Sequence, residues 1–256
     1  MLKFHLLNKD QVSGKNRLEI LNESEMVTTP TDFACYKSLK QGVPNRCQNY
    51  WINCNDSNVF AGTVDCYGRN LFGVNPRMEG FGLRPVIEYE SIKPFAEVFY
   101  EDSKSLLVKF GEYPQDFADS ASQISLDNLY SQGFLQTTNK SNVFKYKNSI
   151  LFRDDINHKW ITTSPIMWSV DKKSGLAISD RIIDASKKNF KEIVSYLEND
   201  FGKVIFPEEK IKEYNALVTY SRLQKRKEET ESKLDSINQM LKHLDEEIAI
   251  LKRKKD

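Results

Sequence analysis

The sequence carries no excess of either charge: Lys and Arg number 37 and Asp and Glu 36 over 256 residues, a formal net charge of +1. A protein that lives on a phosphate backbone needs a basic surplus or stripe, so direct nucleic-acid binding is not expected. No apolar run comes near the roughly 20 residues that span a bilayer. The opening stretch, Met1 to Asp10, is too short and too soon broken by charge to serve as a signal peptide. The expectation is a cytoplasmic chain without membrane attachment.

Histidine is scarce too. His5, His158 and His243 stand in three unrelated contexts, none with Cys, Asp or Glu at metal-ligand spacing. There is no P-loop, no G-x-S-x-G elbow and no G-x-G-x-x-G following a strand, and Gly80-Phe81-Gly82 lacks a third glycine. Adjacent acids such as Asp154-Asp155 sit in turn-like sequence, where solvation is the ordinary state. The four cysteines, Cys35, Cys47, Cys54 and Cys66, all fall in the first third of the chain and form no C-x2-C pair. Reduced structural thiols are expected, with one disulfide or a metal site as the alternatives. No catalytic residue, metal or cofactor is assigned.

Aromatic residues are plentiful, with 15 Phe, 11 Tyr and 3 Trp, so the chain can build a core and is not disordered. A short strand through Leu2, Phe4 and Leu6 precedes a helix over about 16–23. Tyr50-Trp51-Ile52 and 59–67 read as strands around a polar loop of Asn, Asp and Ser. The glycine-rich stretch 68–82 reads as loop, and 83–89 as a strand in which Pro85 demands an edge or a strand start. Leu106 to Phe110 is a strand that runs into a turn at 111–115. A helix is expected over 125–132, and strands over 143–146, 150–153 and 159–162. A hairpin joins 166–170 to 176–179 across a glycine-bearing turn. Phe190, Ile193, Val194, Leu197 and Phe201 give one apolar face of a helix over 187–201. Hairpin-like spacing without βαβ alternation predicts an α+β fold with antiparallel sheets.

From Pro207 onward no Gly or Pro interrupts a long charged helix, and about 48 residues of it would extend roughly 70 Å. Leu234, Ile237, Leu241, Leu244, Ile248 and Leu251 alternate spacings of three and four, the a/d seam of a coiled coil. Lys227 and Thr230 interrupt that seam and Tyr220 and Leu223 resume it. The organisation is therefore a globular domain over 1–206 followed by a coiled-coil-capable helix over 207–256. The seam is to be covered by a second copy, by a partner's helix, or by the chain's own domain or 210–223 turns, with a solvated helix as the alternative, and a homodimer is the first expectation.

Two stretches resemble a known family. Tyr50-Trp51-Ile52-Asn53 through Gly82-Leu83-Arg84-Pro85-Val86 resembles the closing segment of C-type-lectin-like domains of the branch shared with formylglycine-generating enzymes and retroelement variable proteins. Phe110-Gly111-Glu112-Tyr113-Pro114-Gln115, followed by Pro165-Ile166-Met167-Trp168, resembles bacterial and phage-borne proteins related to that fold. The order of the two stretches is the reverse of the usual one. The enzymes of the fold use two cysteines about five residues apart, a spacing that Cys47, Cys54 and Cys66 do not reproduce. What the resemblance implies is a rigid β-rich scaffold displaying an irregular surface. Trp51, Asn53, Asn55, Asp56, Asn58 and Arg69 are its candidate display positions, with Trp51 in the core and the others in ordinary loop as the alternative; Arg84 is a scaffold residue. The functional expectation is a non-enzymatic module that recruits or blocks a protein partner, such as a phage or mobile-element inhibitor of a host defence effector. The alternative is a divergent thiol- or metal-dependent enzyme using Cys47, Cys54 or Cys66.

Overall fold

The computed structural model describes residues 2–21, 26–40, 42, 48–54, 61–138, 142–147, 149–185, 189–205 and 208–253. Its strands are β1 (His5–Leu6), β2 (Tyr50–Ile52), β3 (Ala61–Val64), β4 (Asn70–Val74), β5 (Gly82–Leu83), β6 (Pro85–Glu88), β7 (Glu97–Glu101), β8 (Ser105–Phe117), β9 (Gln136–Thr137), β10 (Val143–Tyr146), β11 (Ser149–Arg153), β12 (Trp160–Asp171), β13 (Leu176–Ser179) and β14 (Asp184–Ala185). Its α-helices are α1 (Lys9–Ser13), α2 (Asp32–Lys40), α3 (Tyr89–Ile92), α4 (Ser120–Ser131), α5 (Phe190–Tyr196), α6 (Gly202–Ile205) and α7 (Glu208–Arg253), with a π-helical turn over Leu197–Phe201 between α5 and α6. The chain divides into two compact units, Met1–Phe206 and Pro207–Asp256.

The N-terminal helix lies earlier than its apolar residues suggest. The Asn8 side chain accepts from the Gln11 N–H at 2.9 Å and the Gln11 side chain accepts from the Asn8 N–H at 2.8 Å. This reciprocal cap starts α1 at Lys9. Within the stretch expected to be helical, the N–H groups of Glu19 and Ile20 donate instead to the Asp171 carboxylate, at 2.6 and 3.3 Å. Leu18 and Leu21 are buried all the same. Helix α2, which the sequence pattern did not announce, buries Phe33, Ala34 and Tyr36, and the Thr31 hydroxyl accepts from the Ala34 N–H at its start. The 125–132 helix begins earlier, as α4, because Asp119 caps it by accepting from the Ser122 N–H.

A nine-stranded sheet runs β1-β6-β13-β12-β11-β10-β9, with β8 paired to both β12 and β7. Its ladders are all antiparallel. Strand β12 is its spine: β8 pairs along its length, while β11 pairs with its start and β13 with its end. A five-stranded sheet, β14-β5-β2-β3-β4, is antiparallel except where Tyr50 of β2 lies parallel to Gly82 of β5. Pro85 opens β6, where its missing N–H is tolerated.

The expected turn at 111–115 is absent, because β8 continues straight through it to Phe117. Gly111 takes a φ of +68°, a left-handed conformation open to glycine, and an added Cβ would stand 3.0 Å from Ile205 Cδ1. Opposite it the ladder shifts register between Pro165 and Ile166, a bulge. Gln115, itself buried, donates to the carbonyls of Ser164 and Pro165 at 3.0 and 2.8 Å. The Trp168 indole N–H donates to the Phe110 carbonyl at 2.8 Å, and the Tyr113 hydroxyl donates to Asp184 at 2.7 Å. Thus Gln115 and Trp168, from the F-G-x-Y-P-Q and P-I-x-W stretches, clasp β8 to β12, while Tyr113 ties β8 to β14.

One apolar cluster gathers Leu7, Val12, Leu18, Tyr50, Ile52, Val64, Val86, Ile178, Ile182 and neighbours around the meeting of β2, β6 and β13. A second, of Leu126, Leu135, Phe144, Leu151 and Trp160, is shared by α4 with β10, β11 and the start of β12. The second unit is α7, 46 residues of uninterrupted helix.

Candidate binding surface

Of the display positions expected around β2, Trp51 belongs to the core. It is fully buried, with its ring 4.6 Å from Phe81 and 5.5 Å from Phe190. All three residues of β2 are buried, so both faces of the strand are covered there. The Trp51 Nε1 and the hydroxyl of Thr63, its paired residue on β3, are buried with no hydrogen-bond partner among the described residues. Asn53 is half-buried and works through its backbone: its N–H donates to Leu7 at 2.7 Å and its carbonyl accepts from the Lys9 N–H at 3.0 Å. Asn55, Asp56 and Asn58 lie outside the described residues. Arg69 is exposed. Arg84 is buried, donating to the Ser179 carbonyl at 3.0 Å and the Tyr50 hydroxyl at 3.3 Å, with its guanidinium over the Tyr50 ring.

Strand β4 falls inside the stretch expected to be loop. It stands at the edge of the five-stranded sheet with β3 as its partner. Gly73 within it has a φ of +82°, and its ladder to β3 shifts register between Ala61 and Gly62. Leu71 and Phe72 are 42% and 47% exposed, and Tyr67, in the turn that leads into the strand, is 74% exposed. Each ring carries a cation: Lys9 Nζ lies 5.0 Å from the Phe72 centroid and the Arg69 guanidinium 5.0 Å from that of Tyr67. Arg69 is held in place by Asp65, whose carboxylate it meets at 2.7 Å through both Nε and a terminal nitrogen. Burial works to raise the Asp65 pKa, but hydrogen bonds from Arg69 and from the Tyr67 N–H hold it below the ordinary value. The turn from Asp65 to Arg69 is therefore fixed, and it presents an aromatic ring and a guanidinium next to a strand that has β3 as its one partner among the described residues.

Two polar clusters lie elsewhere. Asp184, buried between β14 and α2, accepts from Tyr113, from the Ala185 N–H and from the Lys37 ammonium, each at 2.7 Å. Burial, the Asp184 charge and Tyr196 push the Tyr113 hydroxyl well above its ordinary pKa, so it stays a proton donor to that carboxylate. With its lone pairs so engaged, Asp184 ties β8, β14 and α2 together. On the surface, Asp155 accepts from both Lys40 and Tyr36 of α2, which hold its carboxyl down at about 2. Among the described residues no three His, Cys, Asp or Glu side chains converge as a metal site would require. Cys35 is exposed, Cys54 and Cys66 are half-buried, and Cys47 lies outside the described residues. The Cys54 sulfur is packed so closely on Gly62 that an added Cβ there would stand 2.5 Å from it.

In the second unit Leu234, Ile237, Leu241 and Leu244 are between 50% and 56% exposed, and Tyr220 and Leu223 are exposed as well. Ile248 and Leu251 fall on the same helix, and their side chains lie outside the described residues. No described helix is long and apolar enough to cross a membrane. Comparison with family models, with curated proteins and with solved structures found no match.

Proposed function

We propose that this chain is a non-enzymatic protein-binding module: a C-type-lectin-like scaffold that engages a macromolecular partner through the β4 edge and is paired through α7. The observation that carries the reading is the exposed edge itself, with Tyr67, Arg69, Leu71 and Phe72 beside a strand that, among the described residues, pairs on one side only. Edge strands in monomeric proteins are commonly blunted by charge or proline, since an apolar edge invites pairing. Here it is lined with aromatic and Arg side chains, the types enriched where proteins meet. A partner segment would add to β4 as a further strand, its backbone supplying affinity and its side chains meeting Tyr67 and Phe72. The likeness of the β8 and β12 motifs to phage-borne proteins makes a host defence effector the first class of partner to test, with the module recruiting or blocking it.

The test uses the purified full-length chain as bait, beside a variant carrying Tyr67→Glu and Phe72→Glu. A specific protein retained by the wild type and lost by the variant, at unchanged circular dichroism, supports the reading. A partner retained equally by both moves the binding surface elsewhere. Loss of an activity on Cys54→Ser with the fold intact would favour the thiol-enzyme alternative instead.

A further inference from the structure

We infer that α7 pairs with a second copy of itself in parallel and in register, as a two-stranded coil whose orientation is set by a polar layer at Lys227 and by charges flanking the seam. The inference rests on the pairing proposed above and adds its geometry. Leu234, Leu241 and Ile248 take heptad position a, and Ile237, Leu244 and Leu251 position d. Counting back gives Thr230 at d, Lys227 at a, Leu223 at d and Tyr220 at a, all on the same uninterrupted helix.

The charges choose the orientation. In a parallel, in-register pair each g residue faces the e residue of the partner's next heptad. The sequence then sets Arg226 against Glu231, Lys233 against Asn238, Met240 against Asp245, and Glu247 against Lys252. Two of these four are opposite charges and none is a like pair. An antiparallel coil sets g against g and e against e; with Leu234 opposite Leu251 of the second copy it keeps one attraction, Glu231 with Lys252, and sets Lys233 against Lys254, a like pair. The interruption of the seam is also provided for within each helix. The Lys227 ammonium leans away from position a to within 3.7 Å of the Glu231 carboxylate, and the Thr230 hydroxyl donates to the Arg226 carbonyl at 2.7 Å. A lysine at a single a position is a known means of fixing register and strand number at some cost in stability. Glu231 serves twice, taking Lys227 of its own helix and Arg226 of the second copy. Each chain carries one globular unit and one α7, so pairing joins two copies of the β4 edge in one molecule. The result is a bivalent binder, in which the second engagement becomes intramolecular.

The test introduces Leu223→Cys and Leu251→Cys separately into the full-length chain. These are two d positions about 42 Å apart along the helix. On mild oxidation each variant should cross-link to its own copy, above the background of the parent chain, with the bond mapped to the new cysteine by peptide analysis. A second arm measures dimer affinity in Arg226→Glu, Glu231→Lys and the double variant: each single change should weaken the dimer several-fold and the double change should be tighter than Glu231→Lys alone. A dimer that forms neither self-cross-link, or in which the double variant is no tighter than Glu231→Lys alone (both lack the Lys227 contact), overturns the parallel register while leaving the pairing intact. A wild-type chain that stays monomeric at high micromolar concentration overturns the pairing itself.

Discussion

Asp155 shows how much a single exposed side chain can be held by its neighbours. Lys40 and Tyr36 sit one turn apart on α2 and both reach it, and Tyr36 packs against Phe152 of β11. The Lys40 hydrogen bond is the larger influence and the Tyr36 hydroxyl the next, and together they hold the carboxyl at about 2. A carboxylate whose pKa is lowered on folding stabilises the fold above its unfolded value of about 3.9, and that contribution fades as the pH falls toward 2. Half-exposed and open to salt, the pair adds little at neutral pH. In Lys40→Met the Asp155 titration, followed by carboxyl NMR, should rise toward the ordinary value. The acid limb of the stability curve should shift slightly toward neutral pH. A midpoint unmoved by the substitution would mean that the α2 anchor does not persist in solution.

At the scale of elements, local signals succeeded where they were strong and failed where distant partners decided. The β12–β13 hairpin, α4 and α7 were legible because turn glycines, apolar period and freedom from breakers agree with the final packing. The turn expected at 111–115 was wrong for a tertiary reason. Glycine and proline there read as breakers, yet Gly111 supplies a backbone angle and Pro114 lies beyond Leu106–Lys109, the stretch of β8 that β7 covers. Strand β4 hid behind its glycines in the same way. Of the expected display positions, Trp51 is core and Arg69 is exposed; of the residues the proposed surface adds, Tyr67 closed an expected strand and Leu71 and Phe72 lay in a stretch read as loop. The Gln115 clasp gives this scale its prediction. Gln115→Leu keeps much of the bulk and leaves the Ser164 and Pro165 carbonyls without that donor, a loss of about 1–3 kcal/mol. Urea unfolding should show a lower midpoint at unchanged slope. A change below roughly 0.5 kcal/mol, the range of unremarkable surface substitutions, would mean that the bulge finds another donor.

At the scale of the molecule the two units draw stability from different sources, and that difference can be measured. Residues 1–206 enclose their own clusters, with Trp51, Trp160 and Trp168 all fully buried. Unfolding of such a unit is a unimolecular event, and its midpoint should not depend on protein concentration. Helix α7 leaves a seam of branched aliphatics half-exposed, and burying one such side chain is worth roughly 1.5–3 kcal/mol. An isolated helix has little besides propensity to hold it together, so its order should come with association. Mass action then makes its melting depend on concentration. Heating should therefore give two transitions. Tryptophan fluorescence, which reports only on the first unit because Trp51, Trp160 and Trp168 are the three tryptophans, should follow one with a fixed midpoint. Far-ultraviolet ellipticity should show an additional transition that moves upward as concentration rises. Leu241→Asp with Leu244→Asp places charges in the seam and should abolish the concentration-dependent transition while leaving the fluorescence midpoint in place. A single transition common to both probes, shifting with concentration, would instead mean that the globular unit depends on the coil for its own stability.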